Sequence, residues 1–158
     1  MSDANIQPKI PEEAVEIGLR KAIRSAIQAS NIPDVKISCW WLPDEFDEDE
    51  VKARVPPYVL IEASPAGTPG FKSNLRDIAV NLTCVTLPDT DIDAAGITIR
   101  DLYPVVRAVI DAGAFVFPSP VKAQGGFTID GGTVSNVEVS TGKYFAMAGM
   151  TINFKVSV

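Results

Sequence analysis

Apolar residues in the first part of the chain recur at steps of three and four: Val15, Leu19, Ala22, Ile23, Ala26 and Ile27, while Glu12, Glu16, Arg20, Lys21, Arg24 and Gln28 fall elsewhere. That period predicts a one-faced amphipathic helix. Pro11 suits its first position, where the missing N–H costs nothing, and Glu12, Glu13 and Glu16 put negative charge at the positive dipole end. Pro33 is the expected stop. The polar face mixes both signs, which fits packing on a sheet better than lying on a membrane. Before it, Met1 to Ile10 has no periodicity and reads as an extended arm.

From Val35 the period shortens to two. Val35, Ile37, Cys39 and Trp41 alternate with Lys36, Ser38, Trp40 and Leu42, so the adjacent tryptophans are expected on opposite faces. Either one enters the core and the other meets solvent or a partner, or both are covered within the monomer. Tyr58–Ser64 and Arg76–Leu87 are the next strands, the latter with Ile78, Val80, Leu82 and Cys84 on one face. Leu102, Tyr103, Val106, Val109 and Ile110 mark a second helix, stopped by Gly113. Its start is either Asp101 as N-cap or Thr98, which would place Pro104 deeper in the helix and kink it. Ala114–Phe117 reads as a short strand or buried turn. Gly131-Gly132 is a two-residue hairpin signal between Phe127–Asp130 and Thr133–Ser140, and Thr141-Gly142 is the next turn. The closing strand, Lys143–Val158, places Tyr144, Ala146, Ala148, Met150, Ile152, Phe154, Val156 and Val158 on one face. The expected fold is α+β, a mainly antiparallel sheet with two helices on one face, in the order α-β-β-β-α-β-β(-β). Residues 1–10 would be the arm and 11–158 one domain, interrupted by a long connection at 43–57.

Composition changes this picture in two places. The chain has no histidine, which excludes Ser-His-Asp and Cys-His nucleophiles, a histidine base and a histidine metal site. Net charge is −6, but six acids lie in one run, Asp44, Glu45, Asp47, Glu48, Asp49 and Glu50, and without them the remaining 14 acids balance 14 bases. The negative charge is thus local, and there is no basic footprint for nucleic acid. Acids this dense repel one another and are expected to face water, a basic partner surface or a channel lumen rather than to work as a fixed catalytic pair. No apolar run approaches a membrane span and Met1–Ile10 is too polar for a signal peptide, so action in the compartment of synthesis is expected. Cys39 and Cys84, 45 positions apart in apolar stretches, are expected to be buried thiols.

Three further patterns weaken on inspection. Asp89, Asp91 and Asp93 resemble the opening of a calcium loop, but the required glycine is Ala94 and the twelfth position is Arg100. GTPGFKS, residues 67–73, lacks the glycine spacing of a phosphate loop and has Phe71 inside the G-K-[ST] core. The remaining glycine pairs lie between strands. No catalytic residue, metal ligand or cofactor is therefore expected.

Taken together, EEAVEIGLRKAIRSAI as first helix, VKISCWWL, PYVLIEAS and RDIAVNLTCVTL as strands, IRDLYPVVRAVIDAG as second helix and FAMAGMTINFKVSV as closing strand resemble the tail terminator or tail completion proteins of long-tailed bacteriophages. The resemblance spans nearly the whole chain and rests on element order and size. It implies a structural virion protein that forms a hexameric ring at the head-proximal end of the tail tube, with the tube protein and the head–tail connector as partners. It also implies assembly in the host cytoplasm and no enzymatic activity, no sequence-specific nucleic acid binding and no membrane partner. Trp40 and Trp41 would then be interface candidates, and the acidic run a partner or lumen surface. Another neck or tube-like ring component is the neighbouring reading; a small-ligand-binding or carboxylate-dependent enzyme of α+β fold is the reading from another class.

Overall fold

A computed structural model describes residues 7–32, 35–43, 55–66, 74–88 and 96–158. The first helix, α1 (Pro11–Ala29), begins at Pro11 as the sequence predicts, with Ile10 as N-cap. It ends before Pro33, which lies outside the described residues: Ser30 caps it and Asn31 turns the chain away in the left-handed region, φ 55. Asn tolerates that region because its short polar side chain can bond locally. Lys9 donates its backbone N–H to Glu13 at 3.1 Å, which ties the described end of the arm to the first turn.

Among the described residues, six strands form one mixed, mostly antiparallel sheet. They are β1 (Lys36–Cys39), β2 (Tyr58–Pro65), β3 (Leu75–Thr86), β4 (Lys122–Ala123), β5 (Thr128–Ser140) and β6 (Lys143–Ser157). The order is β1-β2-β3-β6, with β4 and β5 both paired to β6. Only β1 and β2 run parallel. The register aligns Ile37, Val59, Cys84 and Ala148 in one row and Cys39, Ile61, Leu82 and Met150 in the next. These rows form the buried face, and α1 and α2 (Ile99–Ala112) cover it with Val15, Leu19, Ile23, Leu102, Val106 and Ile110. The arrangement is the predicted α+β fold, and burial of these side chains contributes about 1.5–3 kcal/mol each.

The opposite face of the sheet divides in two. Toward β4 it is a polar ladder: Thr151 Oγ1 donates to Asn81 Oδ1 at 2.9 Å, Asn153 Nδ2 donates to Asp130 Oδ2 at 2.9 Å, and Lys155 lies 3.9 Å from Asp77. Toward the β5–β6 turn it is apolar, with Tyr58 and Val85 buried among Leu60, Phe145 and Met147.

Two local expectations are corrected, the glycine-pair turn and the end of the first strand, and two open alternatives are decided. Gly131-Gly132 does not turn the chain; β5 runs through it with a bulge, because Asp130 pairs with Thr151 and Thr133 with Gly149. A Cβ on Gly132 would lie 3.0 Å from Tyr103 Oη, so Gly132 serves a close approach of α2 to the strand, while Gly131 has open space. The turn is at Thr141-Gly142, where Gly142 has φ 73. Helix α2 is capped by Thr98, whose N–H and hydroxyl both donate to Asp101 Oδ2, at 3.0 and 3.1 Å, so that Asp101 is a capping-box acid and not the N-cap. Those bonds hold the Asp101 carboxyl below its ordinary range. The first strand stops at Cys39, three residues short of the predicted end at Leu42. Finally, residues 114–118 form no strand: Phe115 and Phe117 stack 5.6 Å apart and both meet Phe154 edge-on.

Candidate functional site

The interface candidates Trp40 and Trp41 follow the end of β1, and one residue sets their positions. Glu16, predicted on the polar face of α1, is fully buried. Its Oε1 accepts the Trp41 N–H at 2.8 Å, and its Oε2 accepts those of Trp40 at 3.2 Å and Ala63 at 3.0 Å. The carboxylate thus satisfies backbone donors where β1 breaks off, sharing the Trp40 N–H with the Ile61 carbonyl at 3.1 Å. Burial raises its pKa against the lowering effect of the hydrogen bonds from Ala63, Trp41, Trp40 and Leu42. Arg20, one turn on, is buried as well and donates to the Pro43 carbonyl at 3.2 Å.

Neither tryptophan enters the core. Trp41 is 42% exposed with its indole N–H donated to the Ala63 carbonyl at 2.8 Å, and Trp40 is 67% exposed. The choice between one core Trp and two covered ones therefore resolves to two surface residues, one anchored by its ring nitrogen. The acidic run Asp44, Glu45, Asp47, Glu48, Asp49 and Glu50 lies outside the described residues, as do Gly67–Ser73, Asp89–Asp93 and residues 1–6 of the arm.

Two surfaces emerge that sequence reading missed. The first is the β5–β6 hairpin. Thr86, the last residue of β3, pairs with Ala146, so residues 143–145 of β6 and their partners in β5 extend beyond the sheet as a two-stranded overhang. Val137, Val139 and Tyr144 are exposed there; Val134, 73% exposed, lies further in, opposite Ala148 where β3 still backs β6. The other edge of β5 pairs with no strand among the described residues. The signal was available in the sequence: Val134 lies on one face and Val137 on the other, and residues 128–140 contain no Lys, Arg or Pro. Edges that avoid association usually carry such residues.

The second is a groove of about 1050 Å³ between α1 and the segment after α2. Its walls are apolar, with Ile17 and Ala22 on the helix and Phe115 and Val116 opposite, and among the described residues Lys21 and Arg24 supply its charged side chains. Gly18 sets its floor: a Cβ there would meet the Val116 carbonyl oxygen at 2.6 Å and Phe117 Cδ1 at 2.7 Å. Only glycine allows the segment to approach the helix this closely.

The described chemistry is sparse. Glu16 directs both oxygens at backbone N–H groups, Cys39 and Cys84 are buried reduced thiols, and burial pushes the Cys84 thiol up to about 12. No cluster of His, Cys, Asp and Glu suited to a metal occurs among the described residues, and no described helix is long and apolar enough to cross a membrane. Compared with models of known protein families and with curated protein sequences, the chain matches none.

Proposed function

We propose that the chain is a structural subunit of a long-tailed bacteriophage, a tail terminator or tail completion protein that forms a ring on the head-proximal end of the tail tube and joins it to the head connector. The observation that carries this reading is the β5–β6 overhang, with exposed Val137, Val139 and Tyr144 and an edge of β5 that pairs with no strand among the described residues. A two-stranded ribbon is marginal by itself, and a strand edge whose backbone groups pair with no other strand is a template for another chain. The order of elements around one sheet, from which the resemblance was drawn, supports the same reading. Trp40 adds an exposed aromatic at the other side of the sheet, where a ring subunit meets its second neighbour. The acidic run at 44–50 serves as a partner or lumen surface in this account.

The test is omission. Tails assembled without this protein should have uncontrolled lengths and fail to join heads, and adding the purified protein back should restore both. Tails of normal length that join heads normally in its absence would refute the reading.

A further inference from the structure

The groove between α1 and residues 114–119 is reached by the chain's own arm. The Lys9 N–H is bonded to Glu13 at 3.1 Å, so this part of the arm lies at the first turn of α1. Gln7 and Pro8, just before it, line the groove together with Ile17 and Gly18, which stand more than a turn into the helix. An arm that continued outward from the start of α1 would leave that region, so the chain at Gln7 and Pro8 has already folded back along the helix. Pro8 is half-buried and Gln7 exposed, which makes the side of the arm that carries Pro8 the inward one.

We propose that residues 1–6, which lie outside the described residues, complete this course and cover the groove of their own subunit, running antiparallel to α1 as a strap. Continuity selects this occupant. The chain at Gln7 stands in the wall of the groove, so residues 1–6 enter it with no loop to close, and a segment of another copy has to compete with a tethered one. Length agrees. The helix side of the groove runs from Ile17 to Ala26, about 13–14 Å at the rise of a helix, and six extended residues span about 20 Å. The side chains agree as well. An extended chain alternates its sides, so Ile6 and Ala4 follow Pro8 inward while Asn5 and Asp3 follow Gln7 toward solvent. Two extended residues advance about 6.6 Å, somewhat over one turn of helix, which sets Ile6 level with Ala22 and Ala4 level with Ala26. Both alanines line the groove and are half-buried, and their small side chains leave room for the arm.

This inference goes beyond the ring reading and does not rest on it. An Ala4→Cys, Ala26→Cys double variant tests it, because both replacements are small and the native cysteines Cys39 and Cys84 are buried. A disulfide needs Cα atoms within about 7 Å. Mild oxidation in dilute solution should therefore link the two positions within one chain, read as a monomer of increased mobility on non-reducing electrophoresis. An Ala4→Cys, Ser140→Cys control, with its second position at the β5–β6 turn, should give no such band. Ile6→Asp puts a charge into the apolar trough, and removal of residues 1–6 empties it. Each should raise the fluorescence of an added anilinonaphthalene sulfonate dye severalfold with unchanged far-UV dichroism, because apolar surface is uncovered. A disulfide between two copies would seat the arm in a neighbour's groove and overturn the proposal. No disulfide, or dye fluorescence unchanged in both arm variants, would also overturn it. None of these readouts involves tails, so failure here leaves the ring reading untouched.

Discussion

Glu16→Gln isolates the buried carboxylate at almost constant volume. The native oxygens accept the backbone N–H groups of Trp40, Trp41 and Ala63 at 2.8–3.2 Å. Gln can keep its oxygen toward Trp40 and Ala63, which share Oε2, but its NH2 then faces the Trp41 N–H, and that donor is left buried without an acceptor. One orphaned buried donor costs about 1–3 kcal/mol, partly offset because a neutral amide is easier to bury than a carboxylate. The expected net loss is about 2 kcal/mol at neutral pH, or roughly 4–8 °C in Tm for a chain of this size. Urea unfolding followed by far-UV dichroism reads the global loss. Tryptophan fluorescence reads the same residues that Glu16 positions, and it should shift in the folded variant before any urea is added. The pH dependence has a definite sign. The folded pKa of Glu16 is raised, so the fold binds its proton more tightly than the unfolded chain does. Stability from this group is full below the ordinary value of 4.5 and declines as pH rises from there through the raised folded value. The Gln variant lacks that slope. A variant as stable as the native chain with unchanged fluorescence would refute the role assigned to Glu16.

Gly18→Ala should destabilise by about 1–3 kcal/mol through overpacking against the Val116 carbonyl, outweighing a helix-propensity gain of about 1 kcal/mol; Gly126→Ala, with nothing within 4 Å, is the control, and equal melting temperatures would contradict the close approach. Cys84, with its thiol pushed up to about 12 and fully buried, should react with a disulfide reagent only as fast as the protein opens, and so should Cys39; rapid labelling of either in the native state would contradict their burial. Replacing the six acids of residues 44–50 by Ser or Asn should leave Tm nearly unchanged or slightly raised while tail assembly suffers; an unfolded variant would make the acids structural, and normal assembly would reduce them to a solubility feature.

The major elements were legible because their apolar periods are long. Ile78 to Cys84 and Ala146 to Val156 face the core as alternation dictates, and the face of α2 follows its three-and-four spacing. What escaped depends on contacts between residues distant in sequence. Glu16 reads as solvated until β1 and β2 bring Trp41 and Ala63 to it, 25 and 47 positions away. Gly131-Gly132 carries the composition of a turn, yet pairing of residues on both sides of it with β6 and the Tyr103 hydroxyl beside it make it a bulge. The groove is invisible in sequence because its two walls, α1 and the segment after α2, are separated by β1, β2, β3 and α2.

The central claim is that this chain ends a tail tube as a ring of identical subunits. Electron cryomicroscopy of assembled tails, with this protein identified by a bound antibody fragment, tests it directly. The account predicts one ring at the head-proximal end, six copies by the family resemblance. A single copy at that end, label along the whole tube, or no label on tails at all would contradict it.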